Sequence, residues 1–153
     1  MAKPEWLKVR APGGENYSTI NSMMEERRLA TVCEEAHCPN MGECWGGGTA
    51  TIMVMGDTCT RGCRFCNVKT AKLPGALDPE EPQNVARSLK DLKLDYVVIT
   101  TVDRDDLLDQ GAQHFASVVR EVKKENPHLL LETLGGDFQG DEGLLKVLLD
   151  SGM

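Results

Sequence analysis

Two groups of three cysteines carry whatever chemistry this chain performs, and the spacing within each group limits what that chemistry is. Cys59-Thr60-Arg61-Gly62-Cys63-Arg64-Phe65-Cys66 sets its thiols as Cys-x3-Cys-x2-Cys on a stretch containing glycine. Three thiolates can hold three irons of a 4Fe-4S cluster, and with no fourth cysteine close by, one iron is left for an outside ligand. An open metal position is what catalysis uses, whereas structural zinc sites close on four ligands. Paired zinc ligands and the C-x2-C-x2-C-x3-C-P run of bacterial ferredoxins both fit this spacing poorly. The other group, Cys33, Cys38 and Cys44, is spaced Cys-x4-Cys-x5-Cys. Spacing alone leaves it open between a cluster, a zinc site and three unrelated buried thiols.

The chain is expected to be cytoplasmic, and six cysteines in such a reducing compartment point to metal or redox chemistry in place of disulfides. The opening Met1-Ala2-Lys3-Pro4-Glu5-Trp6 has neither the apolar core of a secretory signal nor the arginine-rich bias of a transit peptide, which carries the same expectation. A net charge of -7, from 17 Lys plus Arg against 24 Asp plus Glu, argues against a general grip on nucleic acid. No stretch approaches the roughly 20 apolar residues of a membrane span. A small molecule or a protein is the expected partner.

These thiols need a scaffold, and the hydropathy pattern supplies an α/β one. Thr49–Met55, Tyr96–Thr101 and Leu129–Leu134 are apolar or β-branched runs that predict strands. Val85, Leu89 and Leu92 form one helical stripe, Phe115, Val118, Val119 and Val122 a second, and Leu144, Leu145 and Leu148 a third that begins near Asp141 and stops at Gly152. Strand followed by helix, repeated, predicts a parallel sheet. A full βα barrel takes about 250 residues, so residues 49–153 are expected to form a partial barrel of three βα units, truncated where a fourth strand should start. Residues 1–48 read as a wrapping extension that carries the first cysteine group. Ile20, Met23 and Met24 give it one helix, with Ser22 and Glu25 as a capping box.

With a strand ahead of it and the aromatic Phe65 just before its third cysteine, the Cys59–Cys66 loop resembles the signature of the radical S-adenosylmethionine (SAM) superfamily. The resemblance implies that the open iron binds the amino and carboxylate groups of SAM. It further implies that the reduced cluster breaks a sulfur-carbon bond of SAM to give a 5′-deoxyadenosyl radical. Phe65 matches the residue that packs near the adenine, and Thr101, Asp103 and Arg104 stand where the superfamily binds the methionyl end. The run from Arg28 to Trp45, with Cys33, Cys38 and Cys44, is similar to the auxiliary-cluster segment of the lipoyl synthase family. Gly48–Ile52, Tyr96–Leu107 and Gly111–Ala116 continue the likeness, which extends from about Trp6 onward. Membership of that family implies two 4Fe-4S clusters and sulfur insertion into a protein-bound octanoyl chain. The resemblance further implies that the cluster of Cys33, Cys38 and Cys44 is the one that gives up its sulfide. The implied partners are an octanoylated lipoyl carrier domain or protein and an electron donor such as flavodoxin or ferredoxin.

The chain departs from the family pattern at Gly135-Gly136, where an apolar residue and proline are expected, and at Gln110, where glycine is expected. A C-terminal serine that ligates the auxiliary cluster in the family is also absent. The alternative is therefore a non-catalytic or split iron-sulfur fragment that needs a second chain, with a zinc-binding module a distant third. The remaining polar residues have plainer readings. His37, His114 and His128 are each isolated and read as solvated or hydrogen-bonded imidazoles. Glu132 has two readings, a charge facing a polar barrel interior or one on an exposed edge.

Overall fold

The computed structural model describes residues 4, 11–47, 49–92 and 95–153. Most of the N-terminal hexapeptide, Trp6 to Arg10 where the family likeness begins, and Gly48 of the glycine run lie outside the described residues. The extension forms α1 (Glu15–Glu26), β1 (Ala30–Thr31), α2 (Val32–Glu35) and α3 (Met41–Gly46). The rest forms β2 (Thr51–Val54), a short β3/β4 pair (Thr58–Cys59 and Lys69–Thr70), α4 (Glu81–Leu92), β5 (Tyr96–Thr101), α5 (Ala112–Glu125), β6 (Leu130–Leu134) and α6 (Glu142–Leu149).

The main sheet runs β1-β2-β5-β6. β2, β5 and β6 are parallel, as the strand-helix alternation predicts, and β1 is antiparallel to β2. The result is an arc of three βα units with β6 at its edge, a partial barrel. Val85 and Leu89 of α4 and the whole Phe115, Val118, Val119, Val122 stripe of α5 are buried together with Ile52, Val54, Val97 and Ile99. Burying a Val, Leu, Ile or Phe side chain contributes about 1.5–3 kcal/mol each, so this layer is what holds the strand ends at fixed relative heights.

Several boundaries differ from expectation for identifiable reasons. β2 stops at Val54 because Met55 and Gly56 turn out of the sheet at φ 70° and 89°. α1 begins at Glu15 after Gly14, so Ser22 lies in mid-helix and caps nothing, while the Glu25 carboxylate accepts a hydrogen bond from Asn21. A side-chain N-cap sits instead at Thr31, whose Oγ1 accepts from Glu34 N–H at 3.2 Å and donates to the Glu34 carboxylate at 2.8 Å. In α6 only Leu148 is buried, Leu144 is half-buried and Leu145 is exposed, and the helix ends at Leu149, ahead of Gly152. The extension shares the main core: Ile20, Met24, Leu29 and Trp45 belong to the same buried cluster as the strands, and β1 adds to the sheet.

Candidate metal centre

Val54 and Thr101 are register partners, so the two chain segments leaving β2 and β5 emerge side by side at one edge of the sheet. The first of these enters the Cys59–Cys66 loop. Its neck is closed by the parallel pairing of Thr58 with Lys69 and Cys59 with Thr70, and by Ala71 N–H donating to Cys59 O at 3.0 Å. Cys59 is half-buried, and its Sγ accepts backbone N–H bonds from Arg61 at 3.4 Å and Asp103 at 3.3 Å. The thiol also lies 3.8 Å from Asp103 Oδ2. Thr60 adds two bonds to Asp103 O, from its N–H and its hydroxyl, both 2.9 Å. Cys63 and Cys66 sit on the exposed tip, linked by Cys66 N–H to Cys63 O at 3.0 Å. Phe65, between them, is 93% exposed.

Thr101, Asp103 and Arg104 line one small cavity of about 10 Å3 with Met55, Gln110, Gly136 and Phe138. Thr101 donates its hydroxyl to Val102 O at 2.8 Å. Arg104 is 2% exposed, and its guanidinium makes a two-pronged pair with Asp106, both contacts 2.8 Å, plus a bond to Gly75 O at 2.9 Å. That pairing satisfies the buried charge and ties the segment following the cysteine loop to the β5 exit; it also holds the Asp106 carboxyl below its ordinary range. The Gly135-Gly136 departure has a use here. A Cβ on Gly136 would stand 2.8 Å from Asp103 Oδ1, so a residue with a side chain there would push the Asp103 carboxylate aside.

Arg61, which the spacing argument passed over as a spacer between cysteines, is the hub of this edge. It donates to Asp105 from Nε at 2.8 Å and Nη2 at 2.7 Å, to Asp137 from Nη1 at 2.9 Å, and lies 3.7 Å from Asp103. The exits of β2, β5 and β6 are thus joined by one guanidinium. Its charge holds the Asp105 and Asp137 carboxyls well below their ordinary range, and they hold the guanidinium protonated in turn. No sequence signal within either partner's neighbourhood announces a pair 44 residues apart.

Cys33 is buried in α2, Cys38 follows half-buried with its N–H on Cys33 O at 2.9 Å, and Cys44 is exposed in α3. Lys69 spans the two cysteine regions through Asp57 at 2.8 Å and Glu35 at 3.5 Å. All six cysteines are free thiols. Among the described residues no three His, Cys, Asp or Glu side chains gather closely enough to hold a metal ion. The structure therefore brings Cys59 together with Asp103, which lines one cavity with Thr101 and Arg104, while Cys63, Cys66 and Phe65 lie exposed on the loop tip. The donor set fits an iron-sulfur cluster: sulfur only, unpaired, and carried on a loop whose Cys63 and Cys66 tip is exposed. His114 pairs with Glu81 and His37 with the Glu34 carbonyl, and His128 is exposed, in keeping with hydrogen-bonded or solvated imidazoles. Glu132 is exposed and accepts the Tyr96 hydroxyl.

Residues 53–153 match the model of the radical SAM superfamily. The chain belongs to that superfamily. Residues 1–38 match the N-terminal domain of lipoyl synthase of the radical SAM family. The chain is 58% identical to a lipoyl synthase of Anaeromyxobacter dehalogenans over 95% of its own length and 49% of the relative's. It is 56% identical to a mitochondrial lipoyl synthase of Aedes aegypti over 98% of its length and 39% of the relative's. A lipoyl synthase of Halorhodospira halophila is 54% identical over 99% of the chain and 45% of the relative. The chain thus spans less than half the length of these curated relatives. Radical SAM membership implies an iron-sulfur cluster and SAM. Among the described residues no helix is long and apolar enough to cross a membrane.

Proposed function

We propose that this chain is the cluster-bearing portion of a lipoyl synthase, which inserts two sulfur atoms into a protein-bound octanoyl chain. Residues 49–153 hold the radical-generating machinery and residues 1–48 the auxiliary cluster. A 4Fe-4S cluster with SAM on its open iron supplies hydrogen abstraction from an unactivated C–H bond, which acid-base side chains cannot achieve. Cys59, Cys63 and Cys66 are its ligands. Phe65 offers the adenine an aromatic face. Thr101 and Asp103 bring polar groups to the methionyl end, and Arg104 secures the backbone that presents them. Cys33, Cys38 and Cys44 hold the second cluster, the source of the inserted sulfur. An octanoylated carrier is the substrate and a flavodoxin or ferredoxin the reductant, in a reducing compartment such as the cytoplasm, where free thiols persist.

One observation carries this reading. The Cys59 Sγ lies 3.3 Å from the Asp103 N–H, which joins the metal-ligand loop to the β5 exit at the strand ends where barrel enzymes keep their chemistry. A second reading, that sulfur insertion needs a further segment paired along β6, is favoured by the outer edge of that strand, which no strand among the described residues pairs. Anaerobic incubation with dithionite and SAM, followed by assay of 5′-deoxyadenosine and of the carrier's mass, tests both. The expected result is slow or no cleavage by these 153 residues alone and recovery when the remainder of a relative is supplied in cis or trans. Robust lipoyl formation by the chain alone overturns the second reading; no cleavage even with the added segment overturns the first.

A further inference from the structure

We infer that Glu81 and His114 are positioning residues for the Cys59–Cys66 loop, a carboxylate lodged beneath the turn that leads into it and an imidazole that holds the carboxylate there. The inference rests on the reading of that loop as a cluster site.

The chain leaves β2 through Met55 and Gly56, both in the left-handed region at φ 70° and 89°. For methionine that conformation is strained, and it persists only where its surroundings fix it. The N–H groups of these two successive residues both point at one acceptor. Glu81, the first residue of α4 and 6% exposed, accepts from Met55 N–H at 2.9 Å and Gly56 N–H at 3.3 Å. These donors have left the sheet ladder, and Met55 is buried, so without the carboxylate its N–H would lack a partner.

His114, in the first turn of α5, places Nε2 2.7 Å from the same Glu81 carboxylate. The residue at the foot of α5, Gly111, sits at φ 81°, and a Cβ there would lie 2.1 Å from Met55 Sδ. The Met55 side chain therefore packs directly on the α5 entry while its backbone is held from α4. Two helices that share no sequence motif with the cysteines converge on one strained residue four positions before Cys59. From the far side, Cys59 is held by Asp103. The direction in which the first ligand enters the site is thus set from both flanks.

The test uses the 153-residue chain in two backgrounds, one with Cys33, Cys38 and Cys44 changed to Ser and one with Cys59, Cys63 and Cys66 changed to Ser, so that each cluster is read alone. Glu81→Ala is expected to weaken retention of iron against a chelator about 10-fold in the first background, as loss of outer-shell support does. The electron paramagnetic resonance line shape of the reduced cluster should change with it, and the second background should be unaffected. His114→Gln, which keeps a donor toward Glu81, should restore most of the retention lost in His114→Phe. Circular dichroism melts of the metal-free variants report folding separately. Unchanged retention and line shape in a folded Glu81→Ala chain overturn the inference, as does an equal loss in both backgrounds. An unsubstituted chain that takes up no iron at Cys59, Cys63 and Cys66 overturns the cluster reading itself, and this inference with it.

Discussion

Arg61 grips both carboxylate oxygens of Asp105, with Nε and Nη2 at 2.8 and 2.7 Å, and thereby fastens the cysteine loop to the segment leaving β5. Asp105 is turned toward this contact by a further bond from Gln139 Nε2 at 2.9 Å, and its own N–H donates to Thr60 Oγ1 at 3.0 Å. The same guanidinium reaches Asp137 beyond β6.

A pH dependence follows from that arrangement. Arg61 depresses the folded-state pKa of Asp105 and Asp137. A carboxyl depressed in this way contributes stability that is fully present above its unfolded value of about 4 and is lost as pH falls through the folded value. Arg61→Ala should therefore lower Tm by a few degrees near neutrality, modestly because the partners are solvent-accessible and screened by salt. The Tm gap between the two proteins should narrow as the medium is acidified below about pH 4. Thermal melts across that range check this; a gap that stays constant into strong acid contradicts it.

Gln110 occupies the left-handed region at φ 50°, at the position where the family pattern calls for glycine. A non-glycine residue there costs about 1–2 kcal/mol, part of which glycine returns through its greater freedom in the unfolded chain. Gln110→Gly is expected to stabilise the protein by about 0.5–1 kcal/mol. Urea unfolding should show a raised midpoint at unchanged slope. A lowered midpoint would mean that the Gln110 side chain itself supports the loop.

Metal content provides the third expectation. Anaerobic reconstitution should give about eight irons per chain if both cysteine groups hold 4Fe-4S clusters. Replacing Cys59, Cys63 and Cys66 by Ala should remove about half. Loss of all iron in that variant, or zinc in its place, is the outcome incompatible with two separate sites.

The outer edge of β6 should make the chain associate. Leu130 and Leu134 are 68% and 53% exposed on a strand that, among the described residues, is paired on one side only. An apolar edge of this kind templates further pairing. Light scattering should show mass rising with concentration, and Leu134→Lys should suppress it. A monomer at all concentrations, with or without that substitution, contradicts the expectation.

The parts of the fold that sequence reveals are those decided by local pattern. Tyr96–Thr101 is a strand with the bounds its β-branched run predicts, and the α5 stripe is buried as its periodicity requires. The parts that escape are decided by partners far along the chain. Ala30–Thr31 has no strand pattern of its own and is a strand because Met53 and Ile52 pair with it. The Ser22 and Glu25 spacing satisfies a capping rule, yet the helix had already begun at Glu15. Among site residues the cysteines stand out by spacing, and Asp103 does meet Cys59. Glu81 and Arg61 could not be singled out, because each looks like an ordinary surface charge until its partners, 25 to 76 residues away, are in place.

The small strand β1 has a consequence for how the molecule is built. It lies on the flank of β2 away from β5 and is synthesised before either. With Ala30 and Thr31 paired to β2, one side of the sheet is occupied by a strand running the other way. Each later strand then has a single place to add, β5 against β2 and β6 against β5. Two residues of the extension thus act as a doorstop: they close one flank of the sheet and, among the described residues, leave β6 as the flank where pairing can continue.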